Sequence, residues 1–152
     1  GACMAPQTAF YNLLGMETLG LRMERACENA QKLAEFLDGY EDIMVNYPGI
    51  PESAWHETAN RVLKNGYGAI LTIRVGTKDR AFQIIDTLKI PKIVSNIGDT
   101  KTLIIHPEST LNAHSTEEEK TAAGVFDDLI RISVGIEDVE DLIEDFRNAL
   151  AQ

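Results

Sequence analysis

Cations are scarce in this 152-residue chain, with 14 Lys and Arg against 24 Asp and Glu and a net charge of −10. A surface that meets nucleic acid or an anionic membrane needs clustered Lys and Arg, so neither is expected as a partner. Cysteine is nearly absent as well. Cys3 and Cys27, with no CxxC pair, make no disulfide framework and point to a reduced, cytoplasmic setting. The three histidines, His56, His106 and His114, show no HExxH or other ligand spacing, so no metal centre is expected. No apolar run approaches the roughly 18–20 residues that span a bilayer. No basic-then-apolar leader opens the chain. An initiator Met is also missing, and "GACMAPQTAF" reads as the start of a segment cut from something longer.

What is present is ordinary globular sequence, 44% hydrophobic and 25% charged, long enough for one domain with a sizeable core. Pro6 suits a first helical turn, and Ala9, Phe10, Leu13 and Leu14 follow at helical spacing. Gly15 and Gly20 predict a break or bend near Gly15. A second helix is expected from about Glu17 to Leu37, with Leu21, Ala26, Ala30, Leu33 and Leu37 inward. "IMVNYPGI" reads as a short extended run ending in a Pro48-Gly49 turn, and "ESAWHETANRVL" as a short helix. "YGAILTIRVG" is the clearest strand. "KDRAFQIIDTL" is an amphipathic helix, with Ala81, Phe82, Ile85 and Leu88 inward. "PKIVSNIG" and "KTLIIHP" are extended segments around a "GDT" turn signal. Thr116 and Glu119 form a capping box. A strand from Leu129 to Gly135 leads into a helix from Glu137 to Leu150. That last helix has acids in its first turns and Arg147 near its other end, as the helix dipole favours. The sum is an α+β, two-layer sandwich of about four or five strands with helices on one side, preceded by a long helical segment.

Arg131 stands alone in the apolar run "DLIRISVG". Side chains alternate faces along a strand, so Ile130, Ile132 and Val134 take one face and Leu129, Arg131 and Ser133 the other. A guanidinium on a rigid strand suits recognition of a carboxylate. On pattern alone the commoner outcome is plainer: a surface arginine paired with one of many nearby acids. Asn96 in "SNIGDT" could line a site or simply make a turn. His106 alone is more often a packed histidine than a catalyst. No nucleophile–base pair can be assigned, and neither "GYG" nor "NIGD" has the pattern of a phosphate loop.

The order of "GACMAPQTAFYNLLGMETLGLRMERACENAQKLAEFL", "NYPGIP", "GYGAILTIRV", "SNIGDTKTLIIHPEST", "TEEEKTAAGV" and "DLIRISVGIEDVEDLIEDFRNAL" resembles the C-terminal domain of the Cys/Met metabolism family of pyridoxal-phosphate (PLP) enzymes. The resemblance covers essentially the whole chain. "NIGDTKTLIIHP" is similar to the O-acetylhomoserine sulfhydrylase branch in particular. It implies the small domain of an aspartate-aminotransferase-like fold, residues 1–152 as one C-terminal domain, and residues 1–37 as a helical connection toward an absent PLP-binding domain. The cofactor lysine and the phosphate-binding residues would lie in that other domain, so no catalytic residue and no bound cofactor are expected in this chain. Residue by residue, Arg131 of "RISVGIE" matches the arginine that binds the substrate α-carboxylate, and Asn96 matches a position that also approaches it. The resemblance thus reverses the plainer reading of Arg131. Leu111 and Asn112 depart from the threonine and histidine of many relatives, in a segment near their active-site entrance, and Leu14 stands where many have arginine.

The implied function is a part of a transferase that makes homocysteine or methionine-type products from O-acetylhomoserine and sulfide or a thiol, as a homo-oligomer, with the chain inactive alone. Alternatives are a methionine γ-lyase or cystathionine γ-synthase or lyase-type domain, or a stand-alone non-catalytic interaction module.

Overall fold

The computed structural model describes residues 2–151. Helix α1 (Pro6–Glu17) starts on its proline and buries none of its residues. Helix α2 (Leu19–Asp38) follows after a break at Thr18, not at Gly15. Gly15 and Gly20 both lie inside helices, with open space where a Cβ would project, so neither glycine makes the bend. Thr18 leaves helical geometry at φ −104° and ψ 4°. Arg22 bridges the break, donating from Nη2 to Gly15 O at 2.5 Å and from Nε to Thr18 Oγ1 at 3.2 Å. Ala26, Ala30, Leu33 and Leu37 are buried as their spacing predicts, but Leu21 is 70% exposed. The apolar stripe meets the core only from Ala26 onward, and the first turns of α2 stand outside it with α1.

Five strands form one sheet in the order β1-β2-β5-β4-β3. They are β1 (Met44–Asn46), β2 (Ile70–Arg74), β3 (Lys92–Ile93), β4 (Leu103–Ile105) and β5 (Leu129–Ser133). Helix α3 (His56–Val62) precedes β2, α4 (Lys78–Thr87) follows it, α5 (Glu117–Ala122) precedes β5 and α6 (Val139–Leu150) follows it. The expected capping box of Thr116 and Glu119 is present, and two further side-chain caps join it: Thr77 accepts from Arg80 N–H and Asp138 from Glu140 N–H. β3 runs parallel to β4. A turn alone would make an antiparallel hairpin. A parallel neighbour requires the chain to cross back over the sheet, and residues 94–102 do so.

The two faces of the sheet differ. Leu71, Ile73 and Val75 from the β2 stretch, Ile130, Ile132 and Val134 from the β5 stretch, and Ile104 pack against Leu33 and Leu37 of α2, Ile84 and Ile85 of α4, and Leu142 and Phe146 of α6. This is a two-layer α+β architecture, with the main helices on one face. The register puts Asn46, Thr72, Arg131 and Ile105 in one row across the other face. Ile70, Ser133 and Leu103 make the adjacent row. No helix among the described residues is long and apolar enough to cross a membrane.

Candidate functional site

Arg131 sits at the middle of β5, with strands on both sides, on the face opposite the helices. Its backbone is fixed by pairing to Thr72 and Ile105. Its half-buried side chain reaches the crossing loop, where Nη2 donates to Ser95 O at 2.7 Å and, more weakly, to Asn96 O at 3.4 Å. The two candidate residues are therefore brought together, but through the Asn96 carbonyl. The Asn96 residue is exposed, and its side-chain amide makes no hydrogen bond among the described residues.

Arg131 forms no ion pair among the described residues, although the chain holds 24 acids. Arg74 on β2 shows the contrast. Its Nε pairs with Asp128 Oδ1 at 2.8 Å, and its guanidinium lies 3.9 Å from the centre of the Phe126 ring. Burial pushes the Asp128 carboxyl up, but the bonds from Arg74 and from Gly76 N–H outweigh this and hold it below the ordinary value. Among the described residues Arg131 is left with its Nε and Nη1 donors unused.

The loop beside Arg131 is pinned by the segment that carries Arg131. Gly98 N–H donates to Ser133 Oγ at 3.1 Å, and Ile136 N–H to Thr100 O at 2.9 Å. Thr102 donates twice to Glu137, from N–H to Oε1 at 2.6 Å and from Oγ1 to Oε2 at 2.9 Å. Gly135 N–H donates to Thr102 Oγ1 at 3.0 Å. A Cβ on Gly135 would meet Thr100 O, Glu137 Oε2 and Lys101 C, so this close approach requires glycine. Ser133, Gly135 and Glu137 carry the loop, yet sequence reasoning assigned Ser133 only to a face and Glu137 only to a helix start. A glycine followed two residues later by an acid, just past a strand, was the available signal.

His106 is a packed histidine. Its Nε2 donates to Asp127 O at 2.7 Å, its Nδ1 is 2.8 Å from Ser109 Oγ, and its ring lies 4.7 Å from that of Phe82. After it, Glu108 accepts from Lys120 at 2.6 Å and from Lys78 at 2.8 Å, and these bonds hold its carboxyl down at about 2. Glu108 and then Glu117 push the Lys120 amine above its ordinary value. Leu111, one of the departures, is exposed in the turns beyond Glu108.

Residues 1–151 match the family of Cys/Met metabolism PLP-dependent enzymes. The chain belongs to that family. It is 44% identical to a homocysteine synthase of Schizosaccharomyces pombe, over 95% of this chain and 34% of the relative. It is 41% identical to an L-methionine γ-lyase of Fusobacterium nucleatum, over 99% of this chain and 38% of the relative. A Campylobacter jejuni crystal structure, described as an O-acetylhomoserine (thiol)-lyase with N′-pyridoxyl-lysine-5′-monophosphate, superposes with a TM-score of 0.93 at 38% identity. That match covers 100% of this chain and 37% of the other. The chain thus spans little more than a third of the length of the proteins it matches.

Proposed function

We propose that this chain is the substrate-carboxylate-binding part of a PLP-dependent enzyme that makes homocysteine-type products from O-acetylhomoserine and sulfide or a thiol. Arg131 holds the α-carboxylate of the amino acid, with Asn96 beside it. One observation carries this: a half-buried arginine on a central strand, in a strongly acidic chain, pairs with no acid among the described residues and keeps two of its three nitrogens free of them. A guanidinium fixed in this way is organised for an incoming carboxylate before it arrives. The S. pombe and C. jejuni likenesses support the choice of substrate.

The residues of this chain do not fit the cofactor itself. An amine that condenses with an aldehyde must be able to lose its proton. Lys120 is held protonated by Glu108 and Glu117, and Lys78 is paired to the same Glu108. Lys32, Lys64, Lys89, Lys92 and Lys101 are exposed on the surface. The cofactor would then be held by residues outside this chain. Residues 1–37 would be the helical connection toward them, which accords with an α1 that buries nothing here.

The test compares the chain with the full-length polypeptide. The full-length form is expected to convert O-acetylhomoserine and sulfide to homocysteine, and the chain alone to show no turnover. Borohydride treatment of the chain with PLP should fix no stoichiometric adduct on one lysine, and finding one would overturn the division of labour. The γ-lyase relative favours a second reading, elimination from methionine. Turnover of methionine in preference to O-acetylhomoserine plus sulfide would select it.

A further inference from the structure

We propose that Glu137 is a positioning residue for the carboxylate site, acting through the 95–102 loop on Arg131. This rests on the reading of Arg131 as the carboxylate-binding group. The loop touches the 131–137 segment at four levels: Ser95 and Asn96 at Arg131, Gly98 at Ser133, Thr100 at Ile136, and Thr102 at Glu137. Those at Gly98 and Thr100 are single neutral hydrogen bonds, and the Arg131 level is the contact being positioned. The Glu137 clamp is different, because an ionised carboxylate takes both the amide and the hydroxyl of Thr102, and charge-assisted bonds are about twice as strong as neutral ones.

The clamp is also backed from behind. Thr102 is fully buried, and so is Asn29 of α2, whose Nδ2 donates to the carbonyls of Gly135 at 3.1 Å and Glu137 at 2.8 Å. The backbone bearing Glu137 is thus held between α2 and the loop. The far end of the loop is free by comparison: residues 94 to 101 are exposed, and Ser95 O depends on Arg131 itself. If the Thr102 end is released, the Ser95 carbonyl moves and the Arg131 guanidinium loses its one firm contact among the described residues. Glu137 touches neither substrate nor cofactor in this scheme. It sets where the arginine points.

The experiment uses the full-length enzyme in four forms: wild type, Glu137→Ala, Arg131→Ala and the double variant. Glu137→Ala should raise KM for O-acetylhomoserine roughly 10-fold, as expected for loss of a charge-assisted pair, and leave KM for sulfide unchanged. In the Arg131→Ala background it should add no more than about twofold, because coupled residues are not additive. An independent multiplication of the two effects, or an equal rise in both KM values, would show a merely structural residue and overturn the proposal. If Arg131→Ala alone leaves KM for the amino acid unchanged, the carboxylate reading itself fails, and the positioning role with it. Glu137→Gln keeps the shape and one acceptor oxygen, and should restore most of the affinity even if the alanine variant folds poorly. Glu137→Ala should also speed amide exchange at Gly98 several-fold while Ile132 stays protected. Unchanged exchange at Gly98 would also count against the clamp.

Discussion

Glu108 offers a perturbation whose size can be worked out from its surroundings. It lies between Lys78 at the start of α4 and Lys120 in α5, and accepts from both. Lys120 has a side chain only 10% exposed, and its other partner, Glu117, is 88% exposed. Glu108→Gln keeps the shape and removes the charge. The fall of the Glu108 carboxyl from 4.5 to about 2 corresponds to roughly 3 kcal/mol as an upper bound. Lys78 is 42% exposed, and solvent screening of such a pair leaves about 1–2 kcal/mol. The sign follows from the direction. A carboxyl depressed in the folded state stabilises fully above its ordinary value, and that stabilisation is lost as pH falls from 4.5 toward about 2. Urea melts of wild type and Glu108→Gln at pH about 7, 5 and 3 should therefore give a gap of about 1–2 kcal/mol at the two higher pH values and less than half of it at the lowest. A gap that is missing at neutral pH, or unchanged at about pH 3, would refute the reasoning.

Gly135→Ala should destabilise by about 1–3 kcal/mol, because the added Cβ meets Lys101 C at 2.6 Å as well as Glu137 Oε2 at 2.5 Å; calorimetry on the variant checks it. Phe146→Ala, at a fully buried position in the core under the sheet, should cost about 3–5 kcal/mol in a denaturant melt. The chain should self-associate or bind a hydrophobic dye, since Phe10, Tyr11, Leu13, Leu14 and Met16 of α1 are all more than half exposed and apolar patches beyond a few hundred Å² drive association; a monomer in sedimentation with no dye binding would contradict this.

Much of the architecture could be read from residue periodicity. Val139, Leu142 and Phe146 of α6 are buried at spacings of three and four, and the β5 alternation of Ile130, Ile132 and Val134 packs into the core. These patterns repeat over several residues and each position reinforces the next. The errors fell where one residue had to speak alone. Gly15 suggested a break that Thr18 makes, because glycine permits a bend without causing one. Leu21 matched the helical phase but lies beyond the end of the core. The parallel course of β3 could not be read from "GDT", since a turn signal gives no strand direction. At the site, the face of Arg131 followed from strand alternation, whereas its lack of an acidic partner among the described residues did not. The clamp of Glu137 on Thr102 joins residues 35 apart in sequence, and no local pattern encodes that contact.

The central claim is that Arg131 binds the carboxylate of an amino-acid substrate, and Arg131→Lys in the full-length enzyme tests it most directly. Lysine keeps the charge but loses the planar fork that the strand holds in place. Loss of a charge-assisted bond in a desolvated site costs about 1.5–3 kcal/mol, or roughly a 10- to 150-fold fall in kcat/KM for O-acetylhomoserine. The account predicts that fall with cofactor content and circular dichroism unchanged. A kcat/KM within about twofold of wild type, the behaviour of an ordinary surface arginine, would contradict it.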